Sequence, residues 1–286
     1  MSLNFDRYLV WNHYNRQELS RGYPGASLDK ITLVGPVQFD FYWDESCFWT
    51  EAEWRCQLGI PEEKTVLLYA GNIAAHVPHE PVLVQQIDEA IRCGDLPDSL
   101  LILLRLHPMD SHQRWSSLLA NSQNIILDGA FKSDTLHANS TNFRQNKQGF
   151  VGDDDVKKHA STLRYSQVHV NVCSTMTLDG AVFDHPQINP AYDDTPGRKY
   201  DRMMREHYQR EHYLPIVQSG GVDVVYHRDE LIRAIRRGIV EPMARSAQRK
   251  KMLEDVCGFL DGRCTQRVSD ALQRFLTERN MDKNSS

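Results

Sequence analysis

The chain is 286 residues long and contains no apolar run approaching the roughly 20 residues that a membrane-spanning helix requires. No transmembrane segment is therefore expected. No basic surplus exists either: the formal charge is −5, which argues against a nucleic-acid partner. The six cysteines (Cys47, Cys56, Cys93, Cys173, Cys257, Cys264) form no Cys-x-x-Cys pair. That excludes the common zinc frameworks and a disulfide scaffold, and reads as reduced thiols in a cytoplasmic protein. No metal or cofactor is expected. A Gly-x-Gly-x-x-Gly fingerprint, a Walker loop and a Gly-x-Ser-x-Gly elbow are all missing, which weighs against dinucleotide oxidoreductases, P-loop ATPases and α/β-hydrolases. The opening residues Met1 to Asp6 show no charged leader followed by an apolar core, and no repeat or low-complexity tract is visible.

What is present is alternation. From about residue 62, short apolar runs alternate with amphipathic segments. Strands are expected at 64–70, 100–104, 124–127, 168–172, 187–189 and 222–225, and helices at 80–93, 111–119, 153–165, 200–213, 229–237, 242–259 and 264–279. The run Thr65 to Tyr69 is almost continuously apolar, as a central parallel strand should be. The pattern predicts an α/β fold with a doubly wound parallel sheet, preceded by a short partial α/β region. That region holds strands at 5–11 and 31–34 and helices at 13–21 and 50–58, the last with Thr50 and Glu53 placed as a capping box. Gly59-Ile60-Pro61 marks the boundary, giving residues 1–60, a domain at 61–280 and a frayed tail at 281–286. Residues 128–152 form a long polar stretch expected to be a lid or a disordered segment. Val268, Leu272, Phe275 and Leu276 share one face of the last helix.

The chain is organised around Val168 to Tyr192, a strand, a tight turn, a helix and a second strand. Ser174 and Thr175 sit at the turn, where either can cap the helix. Such a turn presents backbone N–H groups and partial positive charge to whatever lies beyond the strand, usually phosphate. The alternative is a serine-capped helix with nothing bound. In doubly wound sheets, ligands sit beyond the C-terminal strand ends. The residues there are Gly71, Asn72, His107, Ser174, Thr175, Tyr192 and Asp193, dispersed in sequence yet expected to converge.

Each has a chemistry and a plainer alternative. Gly71 permits close backbone approach and Asn72 offers an amide, or both simply end a strand. His107, held extended by Pro108, can donate to a phosphate or protonate a leaving oxygen, and is the candidate catalytic residue. Arg105 faces either the same region or the opposite side of the sheet. Thr177 can serve the same helix end as Ser174. Asp179, one turn in, can accept from ribose hydroxyls or be a solvated helix residue. Asp193, Asp194 and Arg198 lie on a Pro/Gly loop and either bind sugar hydroxyls or form a surface turn. His207 and His212 are five apart, a poor spacing for shared metal binding on a helix.

Several of these pieces carry a resemblance in order and spacing. They are Ile31-Thr32-Leu33-Val34-Gly35-Pro36-Val37-Gln38-Phe39-Asp40, Val66-Leu67-Leu68-Tyr69-Ala70-Gly71-Asn72, Arg105-Leu106-His107-Pro108, Cys173 to Asp179 with Pro186, and Asp261 to Val268. From about residue 31 to 276 the chain resembles the donor-binding half of GT-B glycosyltransferases. The nearest branch holds CDP-glycerol glycerophosphotransferases and surface polysaccharide transferases. The resemblance implies a nucleotide-sugar or CDP-polyol donor, a hydroxyl acceptor, and a cytoplasmic protein peripheral to the membrane. It implies Ser174 and Thr175 at the donor diphosphate, His107 near the donor phosphates and Asp179 as the acidic helix position. The roughly sixty residues before the boundary are shorter than a GT-B acceptor domain, so the chain is expected either to be a fragment or to take its other half from a partner domain or homo-oligomer. Two other readings stand beside it: a nucleotide-sugar epimerase of the UDP-GlcNAc 2-epimerase kind, and a non-catalytic donor-domain protein that needs a partner chain.

Overall fold

The computed structural model describes residues 5–23, 25–128 and 152–284. The first of these build a two-stranded parallel sheet from β1 (Tyr8–Val10) and β2 (Ile31–Leu33), joined by α1 (His13–Gly22). The expected strand over 5–11 shrinks to three residues because its neighbour pairs along only that length. A 3-10 segment, Val37–Trp43, follows. It buries Phe39 and Tyr42 in the main core rather than forming a free connector. The helix α2 (Glu51–Leu58) carries the capping box read from the sequence: Thr50 Oγ1 accepts from Glu53 N, and Glu53 Oε2 accepts from Thr50 N at 2.8 Å. It ends at Gly59, whose φ of +67° only glycine adopts without strain.

The main sheet comprises β3 (Thr65–Ala70), β4 (Leu100–Arg105), β5 (Ile125–Asp128), β6 (Val168–Asn171), β7 (Gln187–Pro190) and β8 (Val222–Val225). All neighbours run parallel, in the spatial order β5-β4-β3-β6-β7-β8. Between them run α3 (Glu80–Arg92), α4 (Ser116–Asn121), α5 (Asp153–Tyr165), α6 (Met176–Val182), α7 (Asp201–His207), α8 (Leu214–Gln218) and α9 (Arg228–Val240), followed by α10 (Ser246–Cys257) and α11 (Cys264–Asn284).

Alternation along each strand assigns side chains to opposite faces. Leu67 and Tyr69 of β3, with Leu100, Ile102 and Leu104 of β4, join the core under α3 and α9. Leu68 faces α5, α6 and α10, while Val66, Leu101 and Leu103 pack on Trp54 of α2. The doubly wound expectation is met.

The bounds of several helices differ from the sequence reading. The segment 111–119 starts as a 3-10 turn, His112–Trp115, before α4. The segment 200–213 breaks after His207, and α8 starts only at Leu214. The start of α10 is Ser246 rather than 242, and α11 runs on to Asn284. The apolar stripe of α11 divides: Phe275 is half-buried beneath Arg7, whereas Leu272 and Leu276 are 51% and 59% exposed. The two ends of the chain meet here. Asp40 accepts from the Cys264 and Thr265 amides at 2.9 and 2.7 Å and so caps α11. The expected lid falls at 129–151, outside the described residues.

Candidate functional site

The sheet order places the site. Strand order reverses between β3 and β6, which pair directly while their crossovers leave on opposite sides. That reversal opens the crevice in which doubly wound folds bind ligands. Register puts Arg105, Ala70 and Asn171 level across β4, β3 and β6. Two residues further on, His107, Asn72 and Cys173 therefore stand in a row along one rim. His107, Gly71, Asn72, Ser174 and Thr175 thus converge.

The turn after β6 is tightly wound. Cys173 has φ +45°, an unusual conformation for a residue with a Cβ. Its N–H donates to Tyr208 Oη at 3.1 Å, and the Ser174 N–H donates to Asn171 Oδ1 at 3.2 Å. Ser174 Oγ accepts from Met176 N, the first residue of α6, at 3.3 Å. Thr175 is exposed, and its amide and hydroxyl make no hydrogen bond among the described residues. With only seven residues, α6 has a weak dipole. The surface offered to an anion is therefore narrower than the sequence reading expected: the Thr175 amide and hydroxyl, together with Ser174 Oγ.

Gly71 and Asn72 sit against this turn. Asn72 Nδ2 donates to Val172 O at 3.1 Å, tying the ends of β3 and β6 together. The Gly71 amide is engaged by Arg105 O at 2.8 Å. Gly71 is a close-approach glycine, since a Cβ there would lie 3.3 Å from Arg105 O. His107 Nδ1 accepts from Met109 N at 3.1 Å, which leaves the proton on Nε2 in the neutral ring. Partial burial lowers its pKa, against a raising influence from Asp110.

Several expected site residues are turned into the fold. Thr177 Oγ1 is fully buried and bonded to Asn171 Oδ1 at 3.0 Å and Tyr213 Oη at 2.9 Å, so it does not serve the helix end. Asp179 is not a free ribose acceptor, because Tyr42 Oη donates to its Oδ1 at 2.6 Å. Burial pushes that carboxyl up to about 6. Arg105 is paired with Asp128 of β5 at 2.8 Å, and its charge is also felt at the buried Tyr42, His159 and Asp179. Asp193 is fully buried, and its carboxylate is engaged within its own loop, accepting from Thr195 N and Tyr200 N, both at 2.8 Å. Arg198 is exposed, with φ +45°, and makes a long 3.4 Å contact with Asp194. It lines a 560 Å³ surface depression with Arg205, Tyr226 and Arg228, displaced from the rim toward β8.

Sequence reading missed the support under the rim. Glu80, fully buried at the start of α3, accepts the Asn72 N–H at 2.8 Å and receives Tyr69 Oη at 3.3 Å. Arg114 braces the same loop from Asn72 O at 3.1 Å, from Val77 O and from Asp110 at 2.9 Å. Burial pushes Glu80 up to about 8, although the Asn72 amide and Arg114 pull it down. An acid in the first turn of a helix reads only as a dipole complement, so no local signal marks this role. Among the described residues, no group of three or more His, Cys, Asp or Glu is arranged to hold a metal. No described helix is long and apolar enough to cross a membrane.

No curated protein matches the chain. Solved structures do. The wall teichoic acid polymerase TagF is 17% identical with a TM-score of 0.59, over 96% of this chain and 59% of that one. A UDP co-structure of S. aureus MnaA is 12% identical with a TM-score of 0.59, over 95% and 61%. A UDP-N-acetylglucosamine 2-epimerase is 12% identical with a TM-score of 0.55, over 94% and 58%. The chain thus spans about three-fifths of the length of the structures it matches, and at these identities the likeness is one of fold. The family model described as CDP-Glycerol:Poly(glycerophosphate) glycerophosphotransferase matches residues 2–274, and the chain belongs to that family.

Proposed function

We propose that the chain binds a nucleotide-activated donor at the β3–β6 rim, for transfer of a polyol phosphate, or a sugar, to a hydroxyl acceptor. The observation that carries this is the convergence of His107, Asn72, Ser174 and Thr175 where the sheet order reverses. The family description favours a CDP-glycerol-type donor. In that reaction the acceptor hydroxyl gives up its proton, ultimately to solvent, as its oxygen attacks the phosphorus bearing the polyol; the P–O–P bond breaks and a nucleoside monophosphate leaves. The Thr175 amide and hydroxyl, Ser174 Oγ and the His107 Nε2–H would neutralise charge on the leaving phosphate. Residues 61–280 act as the donor domain in this reading, with residues 1–60 contributing to an acceptor half. A nucleotide-activated donor places the reaction on the cytoplasmic side, next to a surface polymer under construction.

A nucleotide panel tests this. Thermal stability with CDP, UDP, GDP, ADP and CMP should rise most with CDP, because ligand binding to the native state stabilises it. If no nucleotide shifts the transition, the donor reading is wrong. The epimerase reading rests on the fold shared with UDP-N-acetylglucosamine 2-epimerases. Conversion of UDP-GlcNAc without any acceptor would favour it.

A further inference from the structure

The rim carries two histidines that the donor reading does not use. His76, exposed in the loop between β3 and α3, has its ring centroid 6.4 Å from that of His207, at the C-terminal end of α7. His207 is 6% exposed, and its Nε2 is buried with no hydrogen-bond partner among the described residues. A buried polar atom left unpaired is costly, and each such case calls for a reason. His207 is anchored through its main chain. Its own carbonyl is held by Cys173 Sγ at 3.2 Å, and the next residue, Tyr208, takes the Cys173 N–H. His207 is thereby fixed to the strained turn that presents Ser174 and Thr175. His107 completes the set from β4, close enough to His76 for that ring to disfavour its protonation.

Burial and mutual repulsion favour the neutral form of both His107 and His207. The charged neighbours do not cancel this. His207 faces Arg210 and His76, with Glu206 on its own helix, and Glu206 is paired with Arg202 at 2.7 Å. His107 faces Asp110 and His76, and Asp110 is committed to Arg114 at 2.9 Å and to Trp115 Nε1 at 2.8 Å. An arriving phosphate supplies the negative charge that this neighbourhood lacks, and reverses the balance.

We propose that His76 and His207 join His107 in a proton-accepting phosphate site, so that a phosphorylated ligand binds together with protons drawn from solvent. The proposal rests on the reading of the rim as a donor-phosphate site, and assigns it two further residues.

Titration calorimetry of CDP, and of inorganic pyrophosphate, at pH 7 in buffers of different ionisation enthalpy measures it. The apparent enthalpy should vary with the buffer, with a slope of about one proton taken up per ligand. His207→Gln and the exposed His76→Gln should each reduce that slope and weaken binding by roughly tenfold, about 1.4 kcal/mol. The exposed variant and the wild-type buffer series keep the test valid should His207→Gln fail to fold. Binding of CDP with a buffer-independent enthalpy, or unchanged slope and affinity in both variants, overturns the histidine cluster while leaving the donor site standing. Failure of both CDP and pyrophosphate to bind overturns the two together.

Discussion

The Tyr42 hydroxyl donates to Asp179 Oδ1 across 2.6 Å, joining the segment ahead of the large sheet to the helix behind the rim. Both groups are buried, and His159 Nε2 lies 3.4 Å from the same hydroxyl. Burial lowers the His159 pKa to about 3, so that ring is neutral. The bond joins a phenol and a carboxyl that both feel the Arg105 charge, and removing the phenol takes away the carboxyl's side-chain donor.

Tyr42→Phe should cost about 1–3 kcal/mol of stability. The loss should grow with pH. The Asp179 carboxyl is raised from 3.8 to about 6. A raised group contributes stability that is complete below its unfolded value and is lost as pH rises through the folded one. Without the Tyr42 hydrogen bond the folded value climbs further, so the deficit should be larger at pH 7 than at pH 5. Urea midpoints at the two pH values decide it, and equal deficits would contradict the assignment.

Glu80 should tilt the whole stability profile. It is raised from 4.5 to about 8, so its stabilisation is fully present below pH 4.5 and disappears as pH rises through 8. Wild-type protein should lose stability across pH 5–8 at up to about 1.4 kcal/mol per unit from this group. Glu80→Gln keeps an acceptor for the Asn72 amide and should remove that share of the slope. Parallel profiles for the two proteins would refute it.

Ser174→Ala combined with Thr175→Ala should weaken nucleoside diphosphate binding by roughly 10- to 100-fold, the range for hydrogen bonds to a charged group. Loss of the Ser174 Oγ bond to Met176 N should lower the thermal transition modestly, while Thr175, exposed and without a hydrogen bond among the described residues, adds little to that loss. Calorimetric affinity and melting temperature separate the two effects. Unchanged affinity would move the diphosphate away from this turn.

Gly180→Ala should damage the rim from behind. A Cβ at residue 180 would run into His169 Nδ1 and come within 2.5 Å of Gln187 Nε2, both buried. Overpacking of this kind costs about 1–3 kcal/mol or more. A denaturation midpoint within about 0.5 kcal/mol of wild type would show that α6 can lift away from β6 and β7 freely.

The strand sequence of the large sheet was readable because buried parallel strands leave a local mark. Runs such as Val66 to Ala70 and Leu100 to Leu104 are continuously apolar, as buried parallel strands should be. The capping box at Thr50 and Glu53 is equally local. The rim followed from strand ends alone, so His107, Asn72, Ser174 and Thr175 could be gathered without coordinates. The helix expected over 200–213 stops after His207 instead, because Tyr208 and Tyr213 are drawn inward to Pro190, Asn189 and Thr177, and a tertiary demand breaks the helix.

Residue types and spacing fixed which side chains reach the strand ends. Which way each one turns there was decided only in three dimensions. Thr177, Asp179 and Asp193 carry the right chemistry for a ligand, yet Tyr213, Tyr42 and the 195–200 loop claim them. Glu80, His76 and His207 read as ordinary helix and loop residues, yet burial and neighbours distant in sequence bring them to the rim. Local pattern encodes secondary structure because hydrophobic periodicity is a property of neighbouring residues. The environment of a polar group is set by partners such as residues 42 and 179, 137 positions apart, and no short-range pattern records them.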